Sequence, residues 1–226
     1  MENNRNMIDQ EMRNSLSTCG FDIVHPCSLE NLEESILSSL SIDDPSGKRG
    51  YLIGNTRTVW DHFIKWLSRR ADWSEIVDPL ETFVEQSIER CAGNHSGLFW
   101  THETEQYIVP VQRMAHQSGL AYLSAGQFNI HPHFGPWFAL RAVLILPGEA
   151  VDVKSTPIPN PCTNIIELQA AELFGRLLQN KGTWEEWLSL RDLYDVGREY
   201  RYSDEQIRYH YTRDKAVLFD AMNKVQ

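Results

Sequence analysis

The stretch "NIHPHFGPWFALRAVLILPG", Asn129 to Gly148, decides how this chain is read. Its second half, "WFALRAVLIL", has the length and β-branched content of a strand buried in the middle of a sheet. Its first half reads as a turn. Pro132 restricts His131 before it, and Gly135-Pro136 prolongs the break until the apolar run begins. Neutral imidazoles spaced like His131 and His133 can bind zinc or copper, with His116 or His102 as a third ligand. Paired histidines in a turn are more often hydrogen-bonded structural groups, so no metal is expected here.

Outward from this stretch the chain alternates helix and strand. "NMIDQEMRNSL" is a weakly apolar opening helix, and "FDIVHPC", "GYLIG" and "GLFWTH" read as strands. Trp60, Phe63, Ile64 and Leu67 recur at helical spacing in "TRTVWDHFIKWLSRR" and face a core. Asp78-Pro79 opens the next helix, an N-cap oxygen followed by proline at the first position. "VPVQRMAHQSG" is a helix stopped by Gly119 in the left-handed closing position. Thr183 with Glu186, and Ser203 with Gln206, are spaced as capping boxes. Val151–Pro161, around Lys154, reads as a connection across the surface. The pattern is that of an α+β or α/β domain with a mixed sheet flanked by helices.

Composition narrows the function. A chain of 226 residues can bury one sizeable core. Its 21 basic against 31 acidic residues give a net charge of −10, which repels phosphate backbones and argues against nucleic acid. The polar, acid-bearing N-terminus is neither a signal nor a transit peptide, and no apolar run reaches membrane-spanning length. Cys19, Cys27, Cys91 and Cys162 are scattered without C-x-x-C, which argues against zinc ribbons and iron–sulfur ligation. They read as reduced thiols of a cytoplasmic protein, with Cys91 and Cys162 buried and inert. The signatures H-E-x-x-H, G-x-S-x-G, G-x-G-x-x-G and the P-loop are missing. Trp100, Trp137, Trp184, Trp187, Tyr122 and Phe134 lie near polar residues, as the walls of an apolar pocket would, although each singly also suits a core.

"HQSGLAYLSAGQFNIHPHFGPWFAL" resembles the cobalamin-enzyme pattern A-G-L-G-x-x-G…I-x-P-x-F-G-x-W-F of epoxyqueuosine reductases and reductive dehalogenases. Those enzymes also carry iron–sulfur cysteines downstream, and this chain has none. The cluster-free cblC type, cyanocobalamin reductase and alkylcobalamin dealkylase, resembles more of the chain. "CGFDIV" is similar to its opening strand, and "QRMAHQSGLAY" to its Q-x-x-A-H-x-x-G-A-A-Y. "IHPHFGPWFALRAVLILPG" resembles H-P-R-F-G-G-W-F-A-I-R-G-V-V-L-L-P-G, and "RYSDEQIRYHYT" resembles R-Y-S-E-E-Q-x-x-Y.

The resemblance implies a nitroreductase-like α+β fold in a single domain over 19–222, preceded by a helical extension over 1–18. It implies an enzyme that binds cobalamin with its lower base detached and removes the upper axial ligand. Reduced flavin, FMN or FAD, would supply electrons for decyanation, and glutathione thiolate would be the nucleophile for dealkylation. Carried over by position, Val109, Val111, Gln112 and Leu140 would touch the corrin. Arg141, Arg191 and Lys215 would hold glutathione, with lysine standing where the family has arginine. Leu123-Ser124-Ala125 replaces a corrin-lining tyrosine-tyrosine-glutamine, Asn129 a cysteine, and His133 an arginine. These departures keep a second class open, a cobalamin-free enzyme on the same scaffold acting on a small metabolite. There His116, His131, His133 or Tyr122 would do acid–base work, since histidine titrates near neutrality. A binding or trafficking role is a third, and pairing into a homodimer is left open.

Overall fold

The apolar run after the turn forms strand β6 (Ala139–Pro147). It lies inside a four-stranded sheet with β1 (Ile23–Cys27), β2 (Lys48–Asn55) and β3 (Leu98–Trp100), in the order β1-β2-β6-β3. The structure, a computed structural model, describes residues 2–92, 97–148 and 156–225. Of the expected surface connection, residues 151–155, Lys154 included, lie outside the described residues.

Every described pairing in this sheet is antiparallel, so the expectation of a mixed sheet is corrected while the α+β class stands. The apolar run of β6 suggested a strand buried on both faces, and it is one. Side chains alternate across a sheet, so Ala142 and Leu144 enter one core cluster and Val143 the other. Burial on both faces needs helices on both faces; it does not need parallel strands.

The first face is covered by α1 (Glu2–Ser17), α3 (Val59–Leu67), α4 (Pro79–Ala92) and α9 (Lys215–Asn223). Met12 and Leu16 of the opening helix are buried there with Phe63, Phe83 and Tyr209. The second face is covered by α2 (Glu34–Ser39) and α5 (Val111–Gln117). Gly119, with φ +78°, closes α5 as expected, and Asp78 Oδ1 accepts from Glu81 N at the start of α4. The short hairpin β4 (Tyr122–Leu123) and β5 (Asn129–Ile130) leads into the turn.

A third cluster joins Ile130 to α6 (Asn164–Asn180) and α7 (Trp184–Asp192). The capping box at Thr183 and Glu186 is complete. At Ser203, before α8 (Asp204–Thr212), only half of the box forms: Ser203 Oγ accepts from Gln206 N, while Gln206 Nε2 is buried and has no partner among the described residues. No helix among the described residues is long and apolar enough to cross a membrane.

Candidate functional site

The turn is a tight loop in which His131 N donates to Gly135 O and Gly135 N to His131 O, both at 2.9 Å. His131 Nδ1 accepts from the backbone N–H groups of His133 and Phe134, and its ring stacks on Phe134 at 4.4 Å. Burial, and then the neighbouring His133, push the His131 pKa down to about 4. His133 is exposed and bonds the Tyr200 hydroxyl. His116 Nδ1 accepts from Leu123 N, and its ring meets Tyr122 edge-on. The four candidate acid–base residues therefore organise the hairpin and the turn, and none lines the cavity described next.

Beyond the turn, the start of β6 forms one wall of an open cavity of about 450 Å³. Val111, Gln112, Leu140, Arg141 and Arg191 line it, joined by Thr101, Phe138, Tyr202, His210 and Tyr211. Gln112 is set at the rim: its side chain donates to Gln127 O, and its own carbonyl accepts from Asn129 Nδ2. Val109 lies outside the lining, buried in the second core cluster. Lys215 is also elsewhere, with Nζ donating to Ser74 O and Ile76 O to tie down the start of α9.

The floor of the cavity is cationic. Arg141, in β6, donates from Nε to Asn55 Oδ1 at 2.8 Å, and its Nη1 lies 3.7 Å from Glu81 Oε2. Its Nη2 is buried and has no partner among the described residues. Arg191, in α7, donates from Nε and Nη2 to Pro136 O and lies over the rings of Trp137 and Tyr202, at 4.5 and 4.8 Å. His210, half-buried in the cavity lining, lies beside them. Desolvation first, then Arg141 and Arg191, hold its pKa well below the usual histidine value, so it is neutral at neutral pH. Glu81 is shared with Arg213 and His102. A buried guanidinium with an unused donor, at the base of an apolar-rimmed cavity, suits an anionic group.

Thr101, Tyr202, His210 and Tyr211 were not singled out as site residues from sequence. The signal was "RYSDEQIRYHYT", an aromatic and histidine face on a capped helix, but nothing local says which strand end it covers.

The depressed His131 pKa predicts a pH effect. Unfolded His131 takes a proton near pH 6.5, whereas folded His131 does so only near 4. The unfolded state therefore binds more protons between these values, and stability present above pH 6.5 is lost as the pH falls towards 4. The melting temperature should drop across that window. His131→Asn, which can still accept from the turn amides, should remove about one proton from the slope. A slope unchanged in the variant would rule His131 out as its source.

Fold and cavity together define an α+β domain with an open cavity lined by apolar side chains and by two arginines, Arg141 and Arg191. Residues 124–218 match the model of the MMACHC family, methylmalonic aciduria and homocystinuria type C. The cyanocobalamin reductase / alkylcobalamin dealkylase of Mus musculus is 25% identical over 229 residues, covering 91% of this chain and 78% of the relative. The Homo sapiens protein of the same name is 25% identical over 226 residues, covering 91% and 77%. A crystal structure of a C. elegans B12-trafficking protein CblC, a human MMACHC homologue, superposes with a TM-score of 0.69 at 18% identity, over 98% of this chain and 96% of that one. These matches bear out the resemblance to cblC-type proteins read from the sequence: the chain is similar to them over most of its length.

Proposed function

We propose that this chain processes cobalamins in the cytoplasm, binding one as substrate and removing its upper axial ligand. The observation that carries the reading is Arg141 Nη2, buried without a partner among the described residues, on an arginine that lines a largely apolar cavity. The chain that holds it is 25% identical over most of its length to enzymes named for this activity.

A cavity of about 450 Å³ is the size of a small-ligand site, smaller than a corrin. The corrin would lie across the mouth, against Val111, Gln112, Phe138 and Leu140, with the upper ligand pointing inward. Glutathione would fill the cavity, its carboxylates gripped by Arg141 and Arg191, whose planar forks suit that group. Cations near a thiol favour the thiolate. In dealkylation the thiolate sulfur attacks the alkyl carbon. A C–S bond forms, the Co–C bond breaks, and its electron pair stays on cobalt. Decyanation would need one electron, which a reduced flavin would supply: Co(III) would become Co(II), the Co–C bond to cyanide would break with its pair on carbon, and cyanide would leave as the anion. The cobalamin-free alternative is not favoured, because His116, His131, His133 and Tyr122 are engaged in the turn and hairpin and stand outside the cavity lining.

Titration of methylcobalamin with the protein tests this. A saturating blue shift of the visible band towards the base-off form, with tryptophan quenching, is expected. Anaerobic addition of glutathione should then yield the methyl thioether. No shift and no quenching would discard the substrate.

A further inference from the structure

Two cysteines far apart in sequence face each other on the first side of the sheet. Cys19 follows the C-terminal end of α1, and Cys91 lies in the last turn of α4. Their sulfurs are 3.4 Å apart, and a disulfide needs about 2.05 Å. Neither thiol is adrift. Arg90 Nη2 donates to Cys19 Sγ at 3.1 Å, and the Cys91 thiol donates to Ser15 O at 3.4 Å. Cys19 is buried and Cys91 is half-buried, in place of the fully buried thiol expected from sequence. A dissolved reagent therefore meets Cys91 first, with Cys19 held directly behind it.

We propose that Cys19 and Cys91 form a reversible dithiol–disulfide site, oxidised by low-molecular-weight disulfides such as glutathione disulfide. The Cys91 thiolate attacks one sulfur of the reagent, forming a mixed disulfide and releasing one glutathione thiolate. The Cys19 thiol gives its proton to solvent, and its sulfur attacks Cys91 Sγ. The protein disulfide forms and the second glutathione thiolate leaves. The protein loses two electrons and two protons, and the reagent's S–S bond becomes two thiols. The new bond ties the end of α1 to the end of α4, and closing so long a loop restricts the unfolded chain. This site does not depend on the cobalamin reading. Burial raises the Cys91 thiol pKa, so the first step should speed up as the pH rises.

Incubation of the full chain with glutathione disulfide tests the site by intact mass, thiol titration and peptide mapping. The expected product has lost two hydrogens, shows two free thiols in place of four, links the Cys19 and Cys91 peptides, melts at a higher temperature and returns to the starting mass with dithiothreitol. Cys19→Ser should stop at a glutathione adduct on Cys91, and Cys91→Ser should not react at Cys19. A persistent adduct on wild-type Cys91, a link to Cys27 or Cys162, or an unchanged mass would each overturn the proposal.

Discussion

Gly135→Ala and Gly197→Ala should each destabilise the chain by at least about 3 kcal/mol, enough to leave much of it unfolded. The two glycines face each other where the 134–136 turn meets the segment after α7. Both have positive φ, +56° and +70°. A Cβ at Gly135 would fall 1.8 Å from Val196 O, and one at Gly197 would fall 2.2 Å from Phe134 C and 2.5 Å from Gly135 N. The obstructing atoms are backbone, which no rotamer change can clear, and the left-handed conformation adds its own strain for an L side chain. Gly175→Ala is the control. It sits in helix α6 with open space around it, and alanine there should be neutral or stabilising by up to about 1 kcal/mol. Urea unfolding of the three variants decides the matter. A Gly135→Ala protein as stable as wild type would mean that the turn and the 196–197 segment are not locked together. The consequence reaches the cavity, because Pro136 O, one residue beyond Gly135, is where Arg191 is held.

Local chemistry made part of this legible. Asp78-Pro79, Gly119, and Thr183 with Glu186 each act within a few residues, and each does in the structure what its side chain dictates. The strand after the turn was legible for the same reason. Strand direction was not, because an apolar run reports burial on both faces and is silent about its neighbours. Helix α6 was passed over although Thr163 caps it and Ala170 and Leu177 lie on its buried side. The two-residue strands of the β4–β5 hairpin are too short to show an alternation. At the site, the residues near the "HPHFGPW" turn separated by reach. His131 and His133 were read first for chemistry, yet His131 Nδ1 is taken up by two turn amides and His133 Nε2 by the Tyr200 hydroxyl. Leu140 and Arg141, a few residues on, line the cavity with Gln112 and Arg191. His210 and Tyr202 were hidden because only tertiary packing brings the α8 region under β6.

Arg141→Ala should lower kcat/KM for thiol-dependent dealkylation by about 10²-fold while leaving the base-off shift on methylcobalamin nearly unchanged. A hydrogen bond to a charged group contributes about 1.5–3 kcal/mol, and each 1.36 kcal/mol is about tenfold in rate, so losing the Arg141 fork accounts for the size of the loss. Its selectivity follows from position. The guanidinium lies in the floor, with Nη2 unmatched among the described residues, whereas Val111, Gln112 and Leu140 form other parts of the lining. Truncation also removes the partner of Asn55 Oδ1 and one partner of Glu81. Glu81 keeps Arg213 at 3.1 Å, so it is not left as an unpaired buried charge. Arg141→Lys separates charge from geometry. Lysine keeps the cation but offers a point charge in place of two parallel donors, so the thiol KM should rise about tenfold with little change in stability. Equal loss of cobalamin binding and dealkylation in Arg141→Ala would make the residue structural. A normal thiol KM in Arg141→Lys would mean that charge alone, and not a gripped carboxylate, is what the floor supplies.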